Sequence, residues 1–390
     1  MSKTHTIFGQ ETSGTEDRRK GLARRVRQGL TEGVFEVKKL LVLSVMLSLA
    51  FAASGAHAVQ FPYLDSNYAQ EIYTGPFVGG PDMAWTPVTN NLLTRNGSNI
   101  LEYSPTQNAV YNGTNIHSVI ATHTIAGLSA TSVGMVNGKD GYIYVLTAVG
   151  LQRFNPLNWA APAQTMPGSV GSGGYGLTVL PNGKLIYVAG GGINQVYSYD
   201  PVSFTNTLIH TASGLIDDIE ANSAGYIALA GQVNSDITIL DSAGNQLVNF
   251  PAAHYPDGLA FGDGAASNSL FSNNNDGTIT RYDLSAGYTS FISATDIASG
   301  SGAYGDLAAV GPDCAFYITQ FNNNGYHGSI NGIGTHWDNG STTAEASVIR
   351  ISSRKGECLF DHSDPVPEPS SILVMGTGLI GFMGAARRRK

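Results

Sequence analysis

Charge is scarce in this chain and unevenly placed. Asp, Glu, Lys and Arg make up 13% of 390 residues, so most of any wetted surface must be built from uncharged polar side chains. Basic residues are nearly missing from the middle. Between Val59 and Asp364 there are 8 Lys and Arg against 23 Asp and Glu, a net charge of −15. Such a body has no basic face to hold nucleic acid, and that class of partner is excluded. Cysteine is limited to Cys314 and Cys358. That is too few for a disulfide-dense scaffold and enough for one bridge in an oxidising compartment, and no histidine has the i, i+4 spacing or the paired Cys of a zinc site. Long apolar runs are absent too. The two that exist, Leu40–Ala53 and Ser371–Ala386, fall short of the roughly 20 residues of a comfortable span. The body shows no helical periodicity, no G-x-S-x-G elbow, no P-loop and no Rossmann fingerprint.

What is present divides the chain into four parts. Lys38 and Lys39 precede an apolar run and a small-residue cleavage site, Ala56-His57-Ala58. Residues 38–58 therefore read as a signal peptide cut by signal peptidase. Residues 1–37 are polar and basic. They read as a disordered extension, or as the product of a misassigned start, with translation beginning at Val34 or Val37. Residues 59–364 form the body. Residues 365–390 hold Pro367, Glu368 and Pro369, an uncharged stretch, and Arg387, Arg388, Arg389 and Lys390. The basic cluster would stay on the cytoplasmic side of a membrane crossed by the apolar stretch.

This tail resembles the PEP-CTERM sorting signal of Gram-negative bacteria. The resemblance implies export, a membrane-tethered intermediate held by a C-terminal helix, and recognition by an exosortase that removes or exchanges the tail. It also implies a final place at the cell surface or in the extracellular matrix, in an exopolysaccharide and biofilm setting.

The body is rich in Gly, Asn, Ser, Thr, Tyr and Val, and strand formers alternate with turn formers throughout. Six segments repeat one pattern and open at Asp82, Gly134, Gly176, Asp218, Gly258 and Asp306, with offsets of 52, 42, 42, 40 and 48 residues. Repeats of this length made of short strands predict an all-β body, a β-propeller of six blades. The segment QEIYTG before the first repeat is expected to pair with the last blade and close the ring. The phrases PDGLAF, DGTITRYD and DLAAVGPDCAFYIT resemble the six-bladed SMP-30/NHL-like propellers. That likeness implies a channel metal coordinated by carboxylates. The chain departs from the family pattern at Asp82, where a GEG-type glutamate is missing, and at Tyr175-Gly176-Leu177, where Asn-Gly-Leu is expected. Lactonase activity is not carried over.

In register, the opening residues ring one end of the central channel and gather Asp82, Asp217, Asp218, Glu220, Asp257 and Asp306 there. Converging carboxylates repel unless a cation, water or a raised pKa relieves them. Ca²⁺ or Mg²⁺ held by Asp82, Asp218, Asp257 and Asp306 is one expectation. The other is that these carboxylates accept backbone hydrogen bonds from the next inner strand. Asp217 and Asp218 are adjacent on a strand, so one of them can face the axis. His254 precedes the Pro256-Asp257-Gly258 turn and reads as a loop histidine or as a general base. The insertion Phe321–Ser347 carries Tyr326, His336 and Trp337, which suit carbohydrate stacking. Cys314 and Cys358 lie about two strand spacings apart in a flat sheet, so a bridge requires the turn before Cys358 to fold back. Together these readings favour an exported binding or structural propeller, with a metal-dependent hydrolase or lyase as the alternative.

Overall fold

Each repeat folds into a four-stranded antiparallel sheet. The structure, a computed structural model, describes residues 60–75, 80–111, 113–130, 132–171, 175–190, 192–299, 304–321 and 346–361. The signal segment with Ala56 and Ala58, the insertion with Tyr326, His336 and Trp337, and the sorting tail lie outside the described residues. Among the described residues there are strands and two short 3₁₀ turns and no α-helix.

Blade 1 comprises Gly80–Trp85, Leu92–Asn96, Asn99–Tyr103 and Val119–Thr124. Blade 2 comprises Ser132–Asn137, Ile143–Thr147, Gly150–Phe154 and Gln164–Thr165. Blade 3 comprises Leu177–Val179, Leu185–Ala189, Gln195–Asp200 and Thr205–Thr211. Blade 4 comprises Ile216–Ala221, Ile227–Gly231, Asp236–Leu240 and Gln246–Pro251. Blade 5 comprises Pro256–Phe261, Ser269–Asn274, Ile279–Leu284 and Phe291–Ser299, extended at its edge by Tyr63–Leu64. Blade 6 takes Tyr304–Val310, Phe316–Phe321 and Ala346–Ser353 from the end of the body and Tyr68–Ile72 from its start. The first strand of each blade packs against the first strand of the next, and that of blade 6 returns to blade 1. The body is a closed six-bladed propeller, as the repeats predict. The strand Tyr68–Ile72, which includes the first residues of QEIYTG, closes it, with Gln70 opposite Ile351 and Ile72 opposite Ile349.

The second strand of each blade is apolar on both sides because both sides are buried. In blade 2, Tyr144 and Leu146 point into the core shared with blade 3. Ile143 and Val145 point into the core shared with blade 1. Period-two alternation thus splits every sheet between two neighbours, and six apolar cores result, one at each seam. Near the axis the sheets converge until side chains no longer fit. A Cβ placed on Gly258 would lie 2.5 Å from the Ala308 backbone nitrogen and 2.6 Å from the Asp306 carbonyl oxygen of blade 6. This is why glycine opens that repeat.

After blade 6 the chain turns at Arg354–Gly356 and runs back as a strap beneath blades 6, 5 and 4. Phe360 is fully buried and packs on Phe316 and Phe271, with ring centroids 5.3 and 4.8 Å away. The Asp263 nitrogen donates to Leu359 O and the Asp361 nitrogen to Phe261 O, both at 2.8 Å. The Ser223 hydroxyl donates to Asp361 Oδ2 at 2.8 Å. The fold-back brings Cys358 to Cys314, Cα–Cα 5.1 Å, and they form a disulfide.

Two measurements test this account. Replacing both cysteines by serine removes a cross-link across 44 residues. Chemical denaturation should then show a loss of about 4 kcal/mol, the chain-entropy value for such a loop. Gly258→Ala should cost about 1–3 kcal/mol in the same assay, because the inner strands of blades 5 and 6 must separate.

Candidate functional site

All inner strands run in the same direction, so their first residues share one end of the axis. That end is a mouth of carboxyl groups. Asp217, Asp218, Asp257 and Asp306 are all buried there, and half-buried Tyr175 enters from the start of blade 3. Burial, reinforced by the charges of Asp217, Asp306 and Asp218, pushes the Asp257 carboxyl well above the usual range. Burial likewise pushes the Asp218 carboxyl well up, against the pull of two backbone N–H groups. Burial first, then the charges of Asp217, Asp306 and Asp257, push the Tyr175 phenol up. A shared field of this kind places the five groups in one cluster.

The backbone aims them through bulges. The inner-strand register slips between Gly80 and Met83, between Ile216 and Asp218, between Pro256 and Leu259 and between Gly305 and Ala308. Blade 2 slips at the matching place. Each slip inserts residues at the repeat opening, where a bulge re-aims side chains. Asp217 and Asp218 therefore part company. The Leu259 nitrogen of blade 5 donates to Asp218 Oδ2 at 2.8 Å, so Asp218 acts as a latch to the next inner strand, whereas Asp217 contributes its charge to the mouth beside Asp257 and Tyr175. Asp306 Oδ1 accepts from the Leu307 nitrogen of its own strand at 2.9 Å. Asp82 stands on the inner strand of blade 1, and its side chain lies outside the described set. Glu220 lines a small cavity of about 30 Å³ inside the ring, with Met83, Met135, Leu177 and Thr178.

Other seams use similar latches. Asn137 of blade 2 accepts from the Trp85 nitrogen of blade 1 at 2.9 Å and donates to Trp85 O at 2.6 Å. Thr178 of blade 3 accepts from the Ala221 nitrogen of blade 4 at 3.1 Å. Asn273 of blade 5 donates to Asp306 O at 2.6 Å and Thr319 O at 2.9 Å of blade 6, and its own oxygen accepts from Gln320 Nε2 at 3.0 Å. Asn274 turns inward to Thr278 and Thr280 of its own blade. The residue that does reach the mouth is Asn275. With its amide nitrogen turned toward the carboxyl, it donates to Asp257 Oδ2 at 3.1 Å and Gly305 O at 3.2 Å.

His254 is committed elsewhere. Its Nδ1 lies 2.6 Å from Asp276 Oδ2 and its Nε2 3.1 Å from Asp296 Oδ1. Both ring nitrogens are thus engaged, and the histidine clamps the loop that presents Asn275. Its geometry is that of a positioning group. Among the described residues no three His, Cys, Asp or Glu side chains are grouped to hold a metal ion. The donors at the mouth are protein N–H groups: Leu259 on Asp218 and the Asn275 amide on Asp257.

A second concavity lies at the seam of blades 6 and 1. It measures about 590 Å³ and is walled by Trp85, Tyr73 and Tyr317. Its charges are satisfied internally. Glu71 Oε1 meets His117 Nε2 at 2.9 Å, and Arg350 meets Asp313 at 2.7 Å. The His117 hydrogen bond outweighs burial and holds the Glu71 carboxyl below its usual range.

Sequence reading placed both Asp217 and Asp218 at the mouth, named Asp218 among the metal ligands, and did not name Asn275. The available signal was the double residue at each opening, Asp217-Asp218, Asp257-Gly258 and Asp306-Leu307, where an unbulged strand has room for one.

No curated protein matches the chain. Among solved structures it is similar to a luciferin-regenerating enzyme at 13% identity, over 77% of this chain and 98% of that one, with a TM-score of 0.49. The PEP-CTERM protein-sorting motif matches residues 365–390, which include Pro367, Glu368, Pro369 and Arg387–Arg389. The propeller body therefore bears a PEP-CTERM sorting segment, which implies export, membrane-tethered sorting and processing by an exosortase.

Proposed function

We propose that the protein is an exported binding or structural propeller of the cell surface or matrix, acting in an exopolysaccharide setting, with the carboxyl mouth as its recognition end. The observation that carries this reading is the mixed character of the mouth. Carboxyl, phenol and amide groups meet there, and such groups can between them donate and accept hydrogen bonds. Asp257, Tyr175 and Asn275 bring a carboxyl, a phenol and an amide together, a set of groups suited to the hydroxyl groups of a neutral saccharide. Tyr175 and Asn275 are half-buried and form the rim a ligand meets first. The insertion with Tyr326, His336 and Trp337 adds stacking side chains to this proposal. Calorimetry with neutral oligosaccharides should show binding that Tyr175→Phe weakens at least several-fold. A glycan array with no hit for the folded body would sink the reading.

The alternative, a metal-dependent hydrolase or lyase, draws on the mutual repulsion of the same carboxyls, which a divalent ion would relieve. It requires Ca²⁺ or Mg²⁺ to raise the melting temperature at alkaline pH. An unchanged melting temperature would end it.

Both readings share a pH signature. Asp218 and Asp257 hold their protons more tightly folded than unfolded. Their stabilising contribution is complete below about pH 4, the unperturbed Asp range. It is lost as pH climbs through the raised folded values. Asp257→Asn removes one such group. In thermal unfolding, the variant should gain on the wild type progressively from acid to alkaline pH. A constant difference would show that Asp257 titrates normally.

A further inference from the structure

The strap and the mouth lie at opposite ends of the propeller axis. The mouth sits where the inner strands start. The strap contacts the segments that follow where those strands end: Ser223 after Ile216–Ala221, Gly262 and Asp263 after Pro256–Phe261, and Cys314 after Tyr304–Val310. The sorting motif begins at residue 365, four residues beyond Asp361, which is bonded to Ser223 beneath blade 4.

We propose that in the membrane-tethered chain the strap face is turned toward the membrane and the carboxyl mouth away from it, so that the ligand of the mouth arrives from the surrounding medium. The ligand clause rests on the mouth being the recognition end, and the orientation stands without it. Chain length decides the geometry. From Asp361 to the first residue of the apolar stretch, Ser371, ten residues reach at most about 36 Å. Ser223 follows an innermost strand, so a tail leaving there must cross three strand spacings, about 14 Å, to reach the rim of the blade. It must then descend the flank past strands of six residues, about 20 Å, and past the turns at both ends. A mouth-down body would consume the whole tether at full extension, whereas a strap-down body needs almost none of it. The disulfide fixes the departure point, because Cys358 is covalently held to the underside of blade 6 and the strap cannot peel back to lengthen the leash. The deep burial of Phe360 between Phe316 and Phe271 acts in the same sense.

The native cysteines are bonded to each other, so a single introduced cysteine is the only free thiol. Ala243 is exposed in the turn between the third and fourth strands of blade 4, on the strap face. Val233 is exposed between the second and third strands of the same blade, on the mouth face. The full chain carrying Ala243→Cys or Val233→Cys is expressed in a Gram-negative host without an exosortase. It is labelled with a thiol-reactive fluorophore on spheroplasts, and headgroup-nitroxide lipid is added. Quenching should be several-fold stronger at position 243 than at 233. Equal or reversed quenching would overturn the orientation, and chain released from the membrane by a carbonate wash would overturn the tether. The pair Ala224→Cys and Ala253→Cys repeats the comparison on the same two faces and guards against a label that disturbs its own turn. The readout is independent of any ligand, so failure of saccharide binding at the mouth leaves this result standing.

Discussion

No blade of this protein can bury itself. Each sheet is apolar on both faces at its second strand, and half of that surface belongs to a core completed by the next blade. Tyr144 and Ile143 are neighbours in sequence and serve different cores. The stability of any one seam therefore depends on every other being closed, which ties the first strand of the body, Tyr68–Ile72, to the last. Ile72 pairs with Ile349 across almost the whole length of the body. A contact of such sequence separation is costly to form and slow to find, because loop-closure entropy must be met before any reward arrives. The disulfide and the strap sit where that cost falls, at the end of the chain that completes the ring.

Closure also explains how four aspartates stay buried together. Burial disfavours the charged forms of Asp218 and Asp257, yet the seams beneath them are fixed by Asn137, Thr178, Asp218 and Asn273 bonding to backbone of the adjacent blade. A ring held at so many independent points can tolerate repulsion at one end without opening. Strain of this kind, confined to one end of a stiff scaffold, is characteristic of recognition sites.

The fold was legible because its constraints are local. Convergence at the axis demands glycine or a short polar residue at the same place in every repeat, and burial on both faces demands runs such as Ile143–Leu146 and Leu185–Ala189. Both leave marks within a few residues, which is why six openings and a closing strand could be read directly. The site was legible in type and less so in detail. Carboxyls at one end follow from register, but the partition between Asp217 and Asp218 depends on a bulge, and a bulge is a property of two strands. The nearness of Asn275 to Asp257 depends on His254 clamping its loop between Asp276 and Asp296, residues brought together from two turns and the outer strand of blade 5. The cysteine pairing hinged on a turn at Gly356, whose φ of +74° reverses the chain direction. A flat-sheet estimate of the separation had no access to that reversal.

The latch pattern changes from one seam to the next. At the seam of blades 4 and 5 the opening carboxylate, Asp218, reaches forward to the next inner strand. At the following seam the equivalent duty passes to Asn273, a residue of the second strand. The buried Asp257 carboxyl of the same blade accepts from the Asn275 amide at 3.1 Å. A neutral carboxamide does the structural work as well as a carboxylate, without the desolvation penalty of a charge. The seam of blades 5 and 6 is thus held by a group that carries no charge, while the carboxyl of Asp257 stays at the mouth.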